Sequence, residues 1–242
     1  MVSGSGTVGG RATPQRSDSL KTQSLLLTTA ERLFAERGID AVSLSEINRA
    51  AGQRNKSALH YHFGSRDGVL KALLERHFDA VSHLRDALVA GRDPSHEPTL
   101  REAVAVIVLP LADHVADPDS GGIHYVGIMA QLAANPSTPI AVEIFNRQRS
   151  AIAAIAPTLS RHIPQAPPPL RARRAQLLNS SLFNALLVQA HSTHSEPDRA
   201  VYVNDLIDML AGLLSAPIAP ESQPEVDRFA ERYEQRTAGA SS

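Results

Sequence analysis

The stretch "RAAGQRNKSALHYHFGSRDGVL", Arg49–Leu70, decides how this chain is read. It gathers four cations (Arg49, Arg54, Lys56 and Arg66), two histidines, a tyrosine and a phenylalanine between apolar helical patterns. Gly52 and Gly64 punctuate it. Ser43, with Glu46 three residues later, has the form of a capping box, which opens a short helix running to about Ala51. Asn55 is the next N-cap, ahead of a second helix over about Lys56–Phe63. Two short helices joined through a glycine-containing turn make a helix-turn-helix. Arg54, Asn55, Lys56 and Ser57 then sit at the N-terminus of the second helix, where donors suit phosphates and base edges. Leu59 and Phe63, spaced i and i+4, are its buried anchors, and Tyr61 falls on another face.

His60 and His62 invite a metal reading. On a helix, i and i+2 point apart, so one ion cannot take both without unwinding the turn. No carboxylate stands four residues from either one. His60 is therefore read toward a DNA backbone, and His62 as packed or hydrogen-bonded at the domain edge. His191 and His194 have i, i+3 spacing beside a loop and read as a solvated helix end. No metal and no cofactor is expected.

Outward from this segment, helical periodicity dominates. Leu26, Leu27, Ala30, Leu33 and Phe34 form a stripe that Gly38 ends. Ser65 caps a long helix carrying Val69, Leu70, Leu73, Leu74, His77, Phe78, Val81 and Leu88 on one side. The stripe Val104–Val115 passes through Pro110, which predicts a kink or a division there. Ala141, Phe145, Gln148, Ile152, Ile155 and Leu159 continue a seam. A helix over about Leu170–His191 has two stripes, Leu178/Leu182/Ala185/Leu186 and Phe183/Leu187/Ala190. One can face its own core and the other a partner. A last strong helix covers about Pro197–Leu214. Strand-like alternation is absent, so the chain reads as all-α with about nine helices.

Composition bounds the function. With 242 residues, 43% of them apolar and 20% charged, the chain can bury one large core or two small ones. The net charge of −1 excludes a uniformly basic coat. Residues 1–71, however, hold ten Lys and Arg against six Asp and Glu, so the positive end is the end with the helix-turn-helix. Cysteine is absent, which removes disulfides and thiolate zinc sites. The longest apolar run, Ala103–Ala112, is far short of the ~20 residues that span a bilayer. No membrane partner is expected, and the location is read as cytoplasmic.

The segments "AERLFAERGIDAVSLSEINRAAG" and "LHYHFGSRDGVLKALL" together resemble the DNA-binding domain of the tetracycline-repressor (TetR) family of bacterial regulators. Phe34, Gly38, Ser43, Ile47, Ala51, Gly52, Leu59, His62, Phe63 and Ser65 stand in register with that pattern, over about residues 20–80. His60 replaces a usual tyrosine, Arg66 a usual lysine, and the turn before Leu59 is one residue longer than the commonest form. The DNA-side residues are read as Ser43, Arg54, Asn55, Lys56, Ser57, Ala58, His60, Tyr61, His62 and Arg66.

The resemblance also implies a C-terminal helical ligand-binding and dimerisation domain, whose last two long helices build a four-helix bundle with a second copy. The domain organisation read from the chain is a disordered tail over 1–19, the DNA-binding domain over 20–80, and an effector and dimerisation domain over 81–215. Residues 216–242 read as a flexible tail with a short helix. Candidates for the effector site are His77, Phe78, Ile107, Leu111, His114, Tyr125, Met129, Phe145 and Phe183, the same residues that would otherwise be plain core. His114 and Tyr125 stand out, because a polar tip on an apolar face needs a partner. The chain has no phosphate loop, nucleophile elbow or zinc-protease motif, so it does not read as an enzyme. The reading is a sequence-specific regulator, a repressor released from a palindromic double-stranded operator by a small, unidentified apolar effector. The alternative is a dimeric DNA-binding protein with a filled core and no effector.

Overall fold

The computed structural model describes residues 14–53, 58–93, 95–163, 166–192 and 196–239. Among these there are eleven α-helices, two 3₁₀ turns and no strand. The all-α expectation holds, with more helices than the nine expected. The chain divides into two compact units at Leu73/Leu74, inside one helix, rather than near residue 80.

In the first unit, α1 (Pro14–Arg37), α2 (Leu44–Ala50) and α3 (Ala58–Phe63) precede the start of α4 (Arg66–Ala90). α1 begins inside the segment read as tail. Its stripe of Leu26, Leu27, Ala30, Leu33 and Phe34 is buried with Val42, Ile47, Leu59, Val69 and Leu70. The chain leaves α1 through a bond from the Gly38 amide to the Phe34 carbonyl at 3.0 Å. α2 starts on the capping box that its sequence announces. The Glu46 amide donates to Ser43 Oγ at 3.2 Å, and the Ser43 amide donates back to Glu46 Oε2 at 2.9 Å. These bonds and the Arg37 guanidinium hold the Glu46 carboxyl down at about 2.

The second unit contains the rest of α4, then α5 (Leu100–Ala116), α6 (Gly122–Ala134), α7 (Pro139–Ala151), α8 (Ala156–His162), α9 (Pro168–Ala190), α10 (Glu196–Ser215) and α11 (Gln223–Gly239). α5 is the apolar centre and packs against α6, α8, α9 and α10. It runs as one helix through Pro110 instead of dividing. Thr99 and Glu102 form its capping box.

Three expectations on this unit are corrected by packing. The seam over 141–159 breaks at Ile152 into α7, a 3₁₀ turn over Ala153–Ile155 and α8. Within α7, Ile144 is buried and Phe145 only half-buried, so the inward position falls one residue earlier. The segment 216–242, read as a flexible tail with a short helix, holds the 17-residue α11. α11 packs on α9, with Arg173 over the Phe229 ring at 4.7 Å. Val226, Phe229, Ala230 and Tyr233 recur at helical spacing, which gives α11 an apolar side to lay down.

Candidate nucleic-acid interface and core cavity

α2 ends in a Schellman closure. The Gly52 amide bonds the Arg49 carbonyl at 3.1 Å, and the Gln53 amide bonds the Asn48 carbonyl at 3.0 Å. Gly52 has φ +66°, a region that side-chain-bearing residues rarely occupy, so glycine is what lets the chain turn toward α3. Arg54, Asn55, Lys56 and Ser57 lie outside the described residues, as does the side chain of Ala58. The expected N-cap at Asn55 and the expected helix start at Lys56 fall there too.

α3 presents two sides. Leu59 is fully buried and Phe63 half-buried, while His60 is exposed and Tyr61 is 83% exposed. His62 turns inward, where its Nδ1 accepts from Gln23 Nε2 at 2.9 Å. That bond ties α3 to α1. The N-terminal turn of α4 closes over α3 through Gly68, where a Cβ would lie 2.0 Å from the Phe63 carbonyl oxygen. Ser43 Oγ is engaged in its cap, and Arg66 is drawn to Asp40 at 2.9 Å. Of the ten expected DNA-side residues, the structure therefore places His60 and Tyr61 on the open side of α3, and Ser43, His62 and Arg66 in bonds that shape the unit.

The second unit holds a buried polar cluster. His77 Nδ1 and His114 Nε2 are 2.8 Å apart, and the His77 ring stacks on Tyr125 with centroids 4.8 Å apart. Phe78 meets the same tyrosine edge-on at 6.2 Å. Burial raises the Tyr125 hydroxyl well above its ordinary value, and the charge of Arg85 partly offsets that rise. Ile107, Leu111, Met129 and Phe183 are buried in the core, whereas Phe145 is half-buried.

A cavity of about 210 Å³ opens elsewhere in this unit, lined by residues of α4, Val106 of α5 and the 151–155 segment. None of the nine sequence-selected effector residues lines it. Its one basic wall residue is Arg85, which sequence reasoning missed. The signal was present, since Arg85 follows His77 and Val81 at i+8 and i+4 and so places a charge on an apolar stripe. Among the described residues, no group of three or more His, Cys, Asp or Glu could hold a metal ion, and no single helix is long and apolar enough to cross a membrane.

A glycine-turned helix pair braced by α1, with His60 and Tyr61 on its open side, has the form of a helix-turn-helix DNA-binding unit. Residues 26–73 match the family model described as bacterial regulatory proteins, tetR family. Over these residues the chain's N-terminal unit matches the tetR-family DNA-binding domain. Comparison with curated protein sequences finds no match. Similar solved structures include NalD of Pseudomonas aeruginosa, described as the secondary repressor of the MexAB-OprM multidrug efflux pump. It is 22% identical with a TM-score of 0.52, covering 84% of this chain and 100% of that one. The ketosteroid transcriptional regulator KstR2 of Mycobacterium tuberculosis is 18% identical with a TM-score of 0.51, covering 87% and 100%. At these identities the likeness is one of fold.

Proposed function

We propose that this protein is a dimeric repressor that leaves its operator when a small, largely apolar ligand binds in the second unit. The observation that carries the reading is α4. It is a single 25-residue helix, Arg66–Ala90, that begins in the DNA-binding unit. Further along it supplies His77 to the polar cluster and Arg85, Val89 and Ala90 to the cavity. A ligand that favours one position of α4 biases the DNA-binding unit built on its first turns, and only differential affinity for the two arrangements drives the change. Arg54, Asn55, Lys56, Ser57, Ala58, His60 and Tyr61 are the proposed reading edge, with Ser43, His62 and Arg66 supporting it.

Assembly follows from α9 and α10. Each buries one side within its own chain, yet Leu177 and Val188 on α9 and Val201 and Met209 on α10 are exposed. Gly212 lies open on the same side of α10 as Met209. A second copy seated on these faces buries them in a four-helix bundle. Two reading helices in such a dimer address half-sites ~34–36 Å apart on a near-palindromic operator, in the cytoplasm where the DNA is.

The effector-free alternative draws support from the close packing of Tyr125, Met129 and Phe183, all essentially inaccessible. Selection of binding sites from randomised duplex DNA, followed by anisotropy titration of the winning site, tests the main reading. An inverted repeat with half-sites one turn apart is the expected result. Enrichment of no sequence would overturn site-specific regulation.

A further inference from the structure

Arg85 is buried to 6% exposure, and its Nε has no hydrogen-bond partner. Among the described residues it has no ion-pair partner within 4 Å. Asp86, the neighbouring carboxylate, is exposed at the rim of the same cavity. Guanidinium keeps its charge under all ordinary conditions, and a buried charge without a counter-charge is strongly unfavourable. Burial pulls the Arg85 pKa downward, as that physics requires. Apart from Asp86 at the rim, the wall around it is apolar, with Val106, Ile152 and Ile155 as its larger members. One cation facing an apolar space is a chemical complement to one kind of molecule.

We propose that this cavity takes a small apolar carboxylic acid, its carboxylate paired with the Arg85 guanidinium and its hydrocarbon against Val106, Ile152 and Ile155. This names the ligand of the regulator proposed above and rests on that reading. Carboxylate oxygens match the guanidinium fork with two parallel bonds. A phosphate dianion would leave part of its charge uncompensated beside a single arginine in an apolar wall. The volume, about 210 Å³, is below the ~300–1,000 Å³ of pockets that take drug-sized ligands. A nucleotide or an acyl carrier cofactor is too large, and a short aliphatic or monocyclic acid is the right scale. A neutral ligand would leave Arg85 as it stands. The position also suits control, because Arg85 lies two helical turns beyond His77 on α4.

The test is calorimetry on the full-length protein with hexanoate, octanoate, benzoate and phenylacetate, each against its own amide, and with inorganic phosphate. At least one acid should bind saturably, one per chain, about 10-fold or more tighter than its amide and tighter than phosphate. Arg85→Met should weaken that acid by about 10- to 100-fold, the loss of a charge-assisted pair. Arg85→Lys should fall between the two. Arg85→Met should melt no lower than wild type, because it replaces an unpartnered buried charge with an apolar chain, and Asp86→Asn should tighten acid binding. Amides or phosphate binding as well as the acids, Arg85→Met binding the acid normally, or none of the four acids binding would each overturn the proposal. Operator anisotropy separates it from the reading beneath it. An acid that binds through Arg85 without loosening DNA supports this site and removes ligand release. A neutral molecule that releases DNA from wild type and Arg85→Met alike leaves ligand release standing and overturns the carboxylate.

Discussion

His77 on α4 and His114 on α5 are joined by one hydrogen bond, Nδ1 to Nε2 at 2.8 Å, under the stacked ring of Tyr125. Two imidazoles at that distance share a single proton, one donating and the other accepting. The bond links the long helix that starts in the DNA-binding unit to the central helix of the second unit. His114→Leu removes it inside the core and should lower stability by ~1–3 kcal/mol in chemical denaturation. Tyr125→Phe keeps the ring stack and should leave ligand-free operator affinity nearly intact. A loss of operator binding in folded Tyr125→Phe would show that the cluster acts on the DNA-binding unit without any ligand.

On the open side of α3, Tyr61 is the most exposed large hydrophobic side chain among the described residues of the first unit. Tyr61→Ala should reduce operator affinity with little change in melting temperature. Lys56→Ala should lower the dependence of binding on salt by ~1 in logarithmic slope if it meets a phosphate. If it meets a base, discrimination at one position should fall by ~1–3 kcal/mol. Fluorescence anisotropy over a salt series distinguishes the two. Unchanged binding in both variants would move the interface off α3.

The two capping boxes set an acid response. Glu46 and Glu102 are each held near a pKa of about 2 by bonds at their caps, first among them the backbone amides of Ser43 and Thr99. A carboxyl whose folded value lies below its unfolded value contributes stability that is fully present above the unfolded value, near 4.5. That contribution is lost as pH falls from there to about 2. Melting temperature should therefore drop over this window, and Glu46→Gln with Glu102→Gln should flatten the drop while lowering stability at neutral pH. Ser43→Ala should cost ~1 kcal/mol at pH 7 through the lost cap.

Assembly can be tested without damaging the core. Leu182 and Leu210 are buried within one chain, so aspartate at either would unfold the subunit rather than report on the dimer. Val188 and Met209, 63% and 57% exposed, are the informative positions. Wild type should scatter as twice the 26.0 kDa chain, and Val188→Asp with Met209→Asp as a folded monomer. A wild type that stays monomeric at micromolar concentration would exclude the four-helix bundle.

Gly68 tests the joint between α3 and α4. A methyl group there would stand 2.0 Å from the Phe63 carbonyl oxygen, which belongs to the backbone and cannot swing away. Gly68→Ala should destabilise the first unit by ~1–3 kcal/mol, read in denaturation followed by tyrosine fluorescence.

The first unit was legible in the sequence because its signals are local. Ser43 reaches Glu46 three residues away, Gly52 closes the turn after its own helix, and Leu26–Phe34 share a face by spacing alone. Backbone geometry sets such relations before any tertiary contact forms. The second unit gave only periodicity, which says which residues share a face but not which face meets a neighbour. Ile144 instead of Phe145 turned inward, and the open side of α9 is formed by Leu177 and Val188, which belong to neither of the two stripes read on that helix. The cavity beside Arg85 joins residues of α4, Val106 of α5 and the 151–155 segment, brought together only when α4, α5 and the end of α7 with its 3₁₀ turn pack. An arginine on a helical stripe reads as a solvated charge until its neighbours in space, far off in sequence, exclude the water from it.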